Sequence, residues 1–278
     1  MKTAVALGTF DGLHFAHRGV CDLPNGFKKV AVTFEMPPKM LISGNVELIY
    51  TFEDKCKYLK ELGFDEIVTL DFHQVKNTDP LQFLSFLKDE IGAFYISCGF
   101  NYHFGKNGGG NTDILADFCN KNGIELKVMP SYLLENGETL SSSYIRALLK
   151  NGEIEKANQF LYKLFCFEGE VLSGDKRGRT IGFPTINQNY PKDLVKLRFG
   201  VYKTRVEFDG KSFDGITNIG IRPTYETDFV TSETYIKNFS GDLYGKNVKI
   251  TPIKFLRDEK KFNSIDELKK QIEFDLEK

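Results

Sequence analysis

The chain has 278 residues, 41% of them hydrophobic and 27% charged, a composition typical of a globular protein of one or two domains. A formal net charge of −1 excludes a strongly basic field that would attract nucleic acid or an anionic membrane. The five cysteines are scattered and form no CxxC pair, so neither a disulfide framework nor a zinc site is predicted. No leader and no long apolar run stands out, and we expect a cytoplasmic protein without a membrane anchor or a nucleic-acid partner.

The first half of the chain alternates short apolar runs with amphipathic segments. The helical spacing of apolar residues predicts helices over Phe52–Leu62 and Leu81–Ile91. The strand candidates are Thr3–Leu7, Lys29–Phe34, Glu66–Leu70, Phe94–Cys98 and Glu125–Met129. Continuous apolar strands between helices indicate a doubly wound α/β domain with a parallel sheet. Ligands of such sheets bind beyond the carboxyl ends of the strands.

Two helices, Ser142–Lys150 and Ile154–Leu161, are predicted next, and the pattern then changes. Segments after Phe165 are short and alternating, as in an antiparallel sheet or small barrel. The strand candidates here are Phe167–Val171, Gly200–Phe208, Ser212–Ile219, Val230–Ile236 and Lys246–Phe255. A last helix is predicted over Ser264–Glu277, with Ser264 as its cap. We therefore predict an α/β domain over residues 1–162 and a β-barrel domain with a C-terminal helix over 163–278.

The segment Gly8–His17 follows the first strand and opens a helix, which is where a phosphate group is expected. Its glycines let the backbone approach a phosphate closely. His14 and His17 are three residues apart, so both side chains can face one side and donate to a nucleotide. The alternative is a glycine-containing turn with two surface histidines.

The sequence of Gly8–His17, GTFDGLHFAH, resembles the signature GxFDGxHxGH of the bacterial bifunctional riboflavin kinase/FMN adenylyltransferase family. Leu140–Arg146 (LSSSYIR) resembles the family's SSTxIR motif, and Gly99–Gly105 (GFNYHFG) resembles its GxDFxFG loop. Without that resemblance, a serine run before a helix is only a capping cluster. The resemblance implies catalysis by His14, His17 and Arg146, ATP binding by Gly8, Phe10, Asp11, Gly12, Ser141 and Ser142, and flavin binding by Asn101 and Phe104.

A second motif, Gly174–Asn187 (GDKRGRTIGFPTIN), resembles the riboflavin kinase signature GRTxGFPTAN. Thr185 and Asn187 alternate along an extended segment, so both side chains point to one face, where their oxygens can approach Mg²⁺–ATP. The alternative is a barrel loop rich in glycine and proline. The resemblance implies ATP contacts from Gly174, Gly178, Arg179, Thr180, Gly182 and Pro184.

Ser232–Tyr235 (SETY) matches the family's ETH-type sequence except at Tyr235, which implies that Glu233 is the catalytic base. Phosphorylation of an alcohol needs a base close to the attacking hydroxyl. Glu233 taken alone would be an exposed strand carboxylate.

Three further segments match the family in order along the chain. Ser240–Gly245 (SGDLYG) implies that Tyr244 lies beside the nucleotide. Phe255–Phe262 (FLRDEKKF) resembles an LRxExxF segment, which implies that Arg257 and Phe262 hold the flavin; the alternative is a charged helix entry. Asn218–Thr224 resembles the family's NxGxRPT turn.

The match is imperfect in the first domain. Ala16 replaces a glycine of the family pattern, Pro37 a histidine, Asn101 an aspartate and Gly108 an arginine. These losses motivate one alternative, a riboflavin kinase whose first domain has lost adenylylation. A second alternative, of another class, is a flavin-binding regulatory protein without turnover.

The main prediction is a bifunctional enzyme that phosphorylates riboflavin to FMN and adenylylates FMN to FAD. ATP, riboflavin and FMN would be its substrates, and Mg²⁺ its metal. The sequence does not determine the oligomeric state.

Overall fold

The computed structural model describes residues 2–173, 182–223 and 228–277, with only the backbone at 222–223 and 228–229. Backbone contacts divide the chain into two compact units, Met1–Tyr144 and Ile145–Lys278. The division falls inside the helix Ser142–Lys150, and the predicted boundary after residue 162 stays a prediction.

The first unit contains a parallel sheet of five strands in the order β3-β2-β1-β4-β5. The predicted strands are confirmed, with ends that shift by no more than one residue. The strands are β1 (Thr3–Leu7), β2 (Lys28–Phe34), β3 (Glu66–Leu70), β4 (Ala93–Gly99) and β5 (Glu125–Met129). The strand order reverses between β1 and β4, and in such sheets this switch point is where ligands bind.

Helices connect these strands and cover both faces of the sheet, as right-handed crossovers require. They are α1 (Phe15–Cys21), α2 (Pro38–Ser43), α3 (Phe52–Glu61), α4 (Phe72–Val75), α5 (Pro80–Ser85) and α6 (Thr112–Asn122). The helix α7 (Ser142–Lys150) follows β5 and contains the division between the two units. The predicted helical segment Leu81–Ile91 is confirmed as α5 followed without a break by a π-helical turn at Phe86–Glu90. The helix α6 had not been predicted; Asn111 caps it by accepting hydrogen bonds from the amides of Asp113 and Ile114.

One face of the parallel sheet carries an apolar core cluster of the first unit. Val5, Leu7 and Ile96 of the central strands are 0–1% exposed and pack against Leu84 and Leu87, which lie on α5 and the π-helical turn. Full burial of one such side chain contributes about 1.5–3 kcal/mol. This packing makes the strand ends a rigid support for the loops that follow them.

The second unit contains an antiparallel sheet of six strands in the order β6-β11-β8-β9-β10-β7. The strands are β6 (Phe167–Glu170), β7 (Thr185–Asn189), β8 (Gly200–Phe208), β9 (Lys211–Pro223), β10 (Asp228–Ile236) and β11 (Asn247–Arg257). The sheet nearly closes into the predicted barrel, because Leu172 forms a bridge to Asn187. Gln188, 1% exposed, reinforces this seam by donating to the carbonyls of Gly169 at 2.7 Å and Val248 at 2.8 Å.

Two helices flank the barrel strands, α8 (Ile154–Phe160) and α9 (Ile265–Glu277). The predicted cap of α9 is confirmed, because the Ser264 hydroxyl accepts from the Glu267 amide at 3.2 Å. Asp275 of α9 is 1% exposed and pairs with Arg257 of β11 at 2.8 Å. A buried carboxylate needs such a partner, so this ion pair holds α9 to the sheet.

The Gln188 seam gives a test of barrel stability. Gln188→Leu should lower the free energy of unfolding of the second unit by about 1–3 kcal/mol, because two carbonyls lose their side-chain donor. Urea unfolding followed by circular dichroism measures this, with the exposed neighbour Asn189→Ala as the control. Equal unfolding midpoints for the two variants would show that the seam contributes nothing.

Candidate active sites

The Gly8–His17 loop lies at the carboxyl end of β1, next to the switch point of the sheet. Gly8 donates its amide to the Val32 carbonyl at 3.2 Å, which ties the loop to β2. Phe10 and Leu13 are fully buried with φ of 51° and 41°, values that L-residues rarely adopt, and Gly12 has φ of 84°. Buried packing of the two side chains maintains this strained backbone.

The structure brings the two predicted histidines of this loop together. His14 is the N-cap residue of α1, one position before the predicted first turn, and His17 lies in that turn. Their rings stack with centroids 3.8 Å apart. The pKa of His17 is well below its usual range, chiefly because burial disfavours the charged ring, with further effects from His14 and Lys55. Nδ1 of His17 is buried and has no hydrogen-bond partner among the described residues.

Asp11 and the serine segment are connected by hydrogen bonds. Asp11 is 3% exposed, and its carboxylate accepts from the Ile49 amide at 2.9 Å. The Ser142 hydroxyl donates to the Asp11 carbonyl at 2.8 Å, whereas the Ser141 hydroxyl accepts from the Tyr144 amide at 3.2 Å, as a capping residue does. Arg146 lies on α7, four residues after Ser142. The N-terminus of α7 therefore supports the Gly8–His17 loop.

Lys55 of α3 is a residue of this site that we did not predict from the sequence. Its side chain is 3% exposed, and its ammonium donates to the Thr9 carbonyl inside the loop at 3.3 Å. The only signal was its spacing, because Lys55 stands three residues after Phe52 and four before Leu59 on the apolar face of α3.

The predicted flavin residues of the first domain have different environments. Phe104 is 6% exposed and belongs to the apolar core, with its ring 5.4 Å from that of Phe83 and 5.7 Å from that of Tyr102. Asn101 is exposed in the turn after β4. Phe83 also lines a cavity of about 600 Å³ at the carboxyl end of β3, next to Asp71. Phe104 therefore contacts a wall residue of this cavity without lining it.

The second site is built on β7 and β10 of the barrel. Asn187 lies directly opposite Glu233, and Thr185 opposite Tyr235. Residues opposite one another in an antiparallel pair share a face, with Cβ atoms about 4.5–5.5 Å apart. Since Thr185 and Asn187 alternate with Ile186 on β7, the side chains of all four residues lie on the same face of the sheet. This face is the outer face of the barrel, because Thr234, which lies between Glu233 and Tyr235 on β10 and points to the opposite face, is fully buried. Glu233 is exposed there and accessible to a substrate.

The same face extends to β9 and to the segment after β11. On β9, which pairs with β10 on the side away from β7, Asn218 lies opposite Glu233. The side-chain amide of Asn218 donates to the Glu259 carboxylate at 2.9 Å. Oδ1 of Asn218 is buried without a hydrogen-bond partner in the described part of the chain. Gly220 provides space for Glu259, because a Cβ built there would overlap the carboxylate. Glu259 had not been predicted, although it belongs to the LRxExxF match.

Four predicted ATP contacts, Gly174, Gly178, Arg179 and Thr180, lie outside the described residues. Gly182 has φ of 86°, which favours glycine, and it precedes the exposed Pro184. Tyr244 is 40% exposed in a turn whose Gly245 amide donates to the Val171 carbonyl at 3.0 Å. Because Leu172 bridges to Asn187, residues 171–172 connect the Tyr244 turn to β7.

Arg257, a predicted flavin residue, is already engaged within the protein. Besides its ion pair with Asp275, its guanidinium lies 5.7 Å from the centroid of the Phe262 ring. The structure thus brings Arg257 and the half-buried Phe262 together.

The oxygens on this outer face suit a magnesium ion. Thr185 offers a hydroxyl, Asn187 an amide oxygen and Glu233 a carboxylate, which are the hard ligands that Mg²⁺ prefers. Among the described residues no group of three His, Cys, Asp or Glu side chains is placed to hold a metal. Mg²⁺ commonly takes one or two protein ligands and completes its shell with phosphates and water, and Thr185 and Asn187 fit that pattern.

Comparison with known proteins identifies the family. Residues 1–144 match the family model described as FAD synthetase, and residues 161–278 match the one described as riboflavin kinase. The bifunctional riboflavin kinase/FMN adenylyltransferase of Bacillus subtilis is 33% identical over 99% of this chain and 90% of its own. The chain belongs to this family. The Listeria monocytogenes member of the bifunctional riboflavin kinase/FMN adenylyltransferase family is 32% identical with the same coverage.

A crystal structure from Streptococcus pneumoniae, described as that of a macrolide-efflux protein, has the same fold. Its TM-score is 0.91 and its identity 27%, over 99% of this chain and 93% of that one. The efflux description applies to that protein. In the present chain, no helix of the described ranges has the length and apolar character needed to cross a bilayer.

The half-buried His17 ring, whose Nδ1 is buried, predicts an acid-sensitive first unit. A histidine in the unfolded chain takes up a proton near a pKa of about 6.5. Because the pKa of His17 is lower in the folded state, the unfolded state binds more protons as the pH falls through about 6.5. The folded protein therefore loses stability relative to the unfolded state over this pH range. His17→Gln should therefore lose less thermal stability than the native protein between about pH 7.5 and 5.5.

Differential scanning calorimetry at both pH values measures this change. His73→Gln, at an exposed histidine of the same unit, serves as the control and should behave like the native protein. If His17→Gln and the native protein lose the same amount, burial of the ring does not destabilise the fold in acid.

Proposed function

We propose that this chain phosphorylates riboflavin to FMN in a domain over residues 163–278 and adenylylates FMN to FAD in a domain over residues 1–162. The observation that carries the kinase half is the pairing of Asn187 with Glu233 on one accessible face. The substrates riboflavin, FMN and ATP follow from the family, and we place the protein in the cytoplasm with Mg²⁺ as its metal.

In the kinase half, Glu233 accepts the proton of the riboflavin 5′-hydroxyl as this oxygen attacks the γ-phosphorus of ATP. Thr185 and Asn187 would hold the magnesium nucleotide on the face of the barrel that also carries Glu233. This arrangement keeps the γ-phosphorus of ATP close to the Glu233 carboxylate. When bound, Mg²⁺ neutralises phosphate charge. Phe183, whose ring is 5.2 Å from that of Tyr235, covers part of this face and supports the strand geometry.

In the adenylyltransferase half, an FMN phosphate oxygen attacks the α-phosphorus of ATP, and the bond from that phosphorus to the bridging oxygen of pyrophosphate breaks. His14 and His17 lie at the start of α1, where the helix dipole favours negative charge. A neutral imidazole carries one N–H, so each ring donates one hydrogen bond to the phosphates. Gly8, Phe10, Asp11 and Gly12 shape the loop around the nucleotide. Ser142 supports this loop through its hydrogen bond to the Asp11 carbonyl, and Ser141, just before α7, and Arg146, on α7, add donors.

Two alternatives remain as outcomes of an assay. A kinase with a degenerate first domain would convert riboflavin to FMN but would form neither FAD nor pyrophosphate from FMN, ATP and Mg²⁺. A flavin-binding regulatory protein would carry out neither reaction. The stacked histidines and the Asp11 and Ser142 contacts favour an active first domain, because the four departures leave these residues unchanged.

The role of Glu233 can be separated from stability. Glu233→Gln should lower kcat for riboflavin phosphorylation by about 10²–10⁴-fold, because the attacking hydroxyl loses its base. Conversion of FMN to FAD by the same protein should be unchanged. Flavin products are separated by liquid chromatography, and Glu207→Gln on the exposed face of β8 is the control. Normal kinase turnover in Glu233→Gln would exclude the proposed base.

A reciprocal variant tests the first domain. His14→Ala should lower kcat for FMN adenylylation by about 10²–10³-fold, because one donor to the developing phosphate charge is removed. Riboflavin phosphorylation should persist. Coupled detection of pyrophosphate measures the loss, and His73→Ala, at an exposed histidine outside the matched motifs, is the control. A parallel loss of both activities would contradict two independent sites.

A further inference from the structure

Lys55 is a buried cation for which the proposed mechanism has no direct chemical step. Its side chain is 3% exposed on α3. Burial of an ammonium group is costly unless its donors are satisfied. Here the donors reach three carbonyl oxygens, those of Thr9 at 3.3 Å, Glu35 at 3.4 Å and Phe34. An ammonium has three N–H groups, so its donor capacity is matched.

These carbonyls belong to two different strand ends. Thr9 lies after β1, in the Gly8–His17 loop, whereas Phe34 and Glu35 lie at the end of β2. The Thr9 carbonyl also accepts from the Thr33 hydroxyl at 3.2 Å. It belongs to the peptide that enters Phe10, the residue with φ of 51°. Lys55 thus joins the strained loop to the neighbouring strand.

Titratable groups lie close to the Lys55 ammonium on several elements. The carboxylates of Asp11 in the loop and Glu35 after β2 favour its charge, as a thiolate at Cys56 of α3 would, and Lys55 in turn disfavours protonation of His17. Burial dominates and lowers the pKa of Lys55 to about 8, with Asp11 the largest opposing effect. The ammonium is therefore charged at neutral pH and loses its proton in mildly alkaline solution.

We propose that Lys55 is a positioning residue for adenylyl transfer, whose charged ammonium holds the Thr9–Phe10 peptide in the geometry that directs His14 and His17 at the nucleotide. This inference rests on the proposed adenylyltransferase function. Neutral Lys55 keeps one lone pair and two N–H groups, so at least one of the three carbonyls loses its donor. The strained turn can then relax, and a displacement of about 1 Å can cost about 10²-fold in rate.

The test measures FMN adenylylation by the full chain between about pH 6.5 and 9.5. In the native protein, kcat/KM for ATP should fall as the pH rises through about 8, since this ratio reports groups of the free enzyme. Lys55→Met should lower kcat by about 10²-fold with no alkaline fall near this pH. Lys55→Arg should recover most of the activity and move the alkaline fall upward, because a guanidinium stays charged.

Two controls isolate the effect. Lys57→Met, at an exposed lysine on the same helix, should match the native protein, and riboflavin kinase activity should be the same in every preparation. Lys55→Met with native adenylylation would overturn the inference. Equal losses of kcat in Lys55→Met and Lys55→Arg, together with an alkaline fall of kcat/KM at the native pH, would also overturn it. The charge of the side chain would then have no role, and only its size and shape would matter.

The outcomes also distinguish this inference from the proposed function. If the native protein makes no FAD, adenylylation itself fails, and amide hydrogen exchange of the Gly8–His17 loop then decides the role of Lys55. Faster exchange in Lys55→Met than in Lys57→Met supports positioning, and equal rates overturn it. If Lys55→Met does not fold, the pH profiles of the native protein and Lys55→Arg still decide, since coincident profiles contradict a role for the charge.

Discussion

The antiparallel pairing of β7 with β10 is the constraint on which the kinase half depends. It sets Asn187 opposite Glu233 and Thr185 opposite Tyr235. A shift of one residue in this pairing would send one strand's polar side chains into the barrel, where Thr234 is buried. The buried side chains and the Gln188 seam therefore maintain the register, and the register places a carboxylate beside the oxygens suited to a magnesium nucleotide.

The parallel sheet supports its loop in a different way. Here the loop after β1 is strained at Phe10 and Leu13, and contacts from outside the loop maintain its form. Asp11 accepts from the Ile49 amide, Ser142 donates to the Asp11 carbonyl, and Lys55 donates to the Thr9 carbonyl. These contacts come from separate parts of the chain. A pre-formed loop can stabilise charge without reorganising during the reaction.

Sequence patterns predicted the elements better than the contacts between them. Period-2 alternation located β8 without error, and the Ser264 cap located α9, because both signals are local. The contact of Glu259 with Asn218 joins residues 41 positions apart, and no local pattern reports it. Lys55 was missed because it lies among charged residues and only the fold buries it. The motif predicts a flavin contact for Phe104, which stays a prediction, and only the fold shows that Phe104 also packs in the apolar core.

The central claim is that a magnesium nucleotide lies beside Asn187 and Glu233 on the outer face of the barrel. Paramagnetic relaxation measures this directly, with Mn²⁺ in place of Mg²⁺ and ATP added to the isotopically labelled full chain. The account predicts the strongest broadening of amide signals at Thr185, Asn187 and Glu233, and little at Glu168 or Glu207. Broadening centred on Glu168 and Glu207, with sharp signals at Glu233, would contradict it.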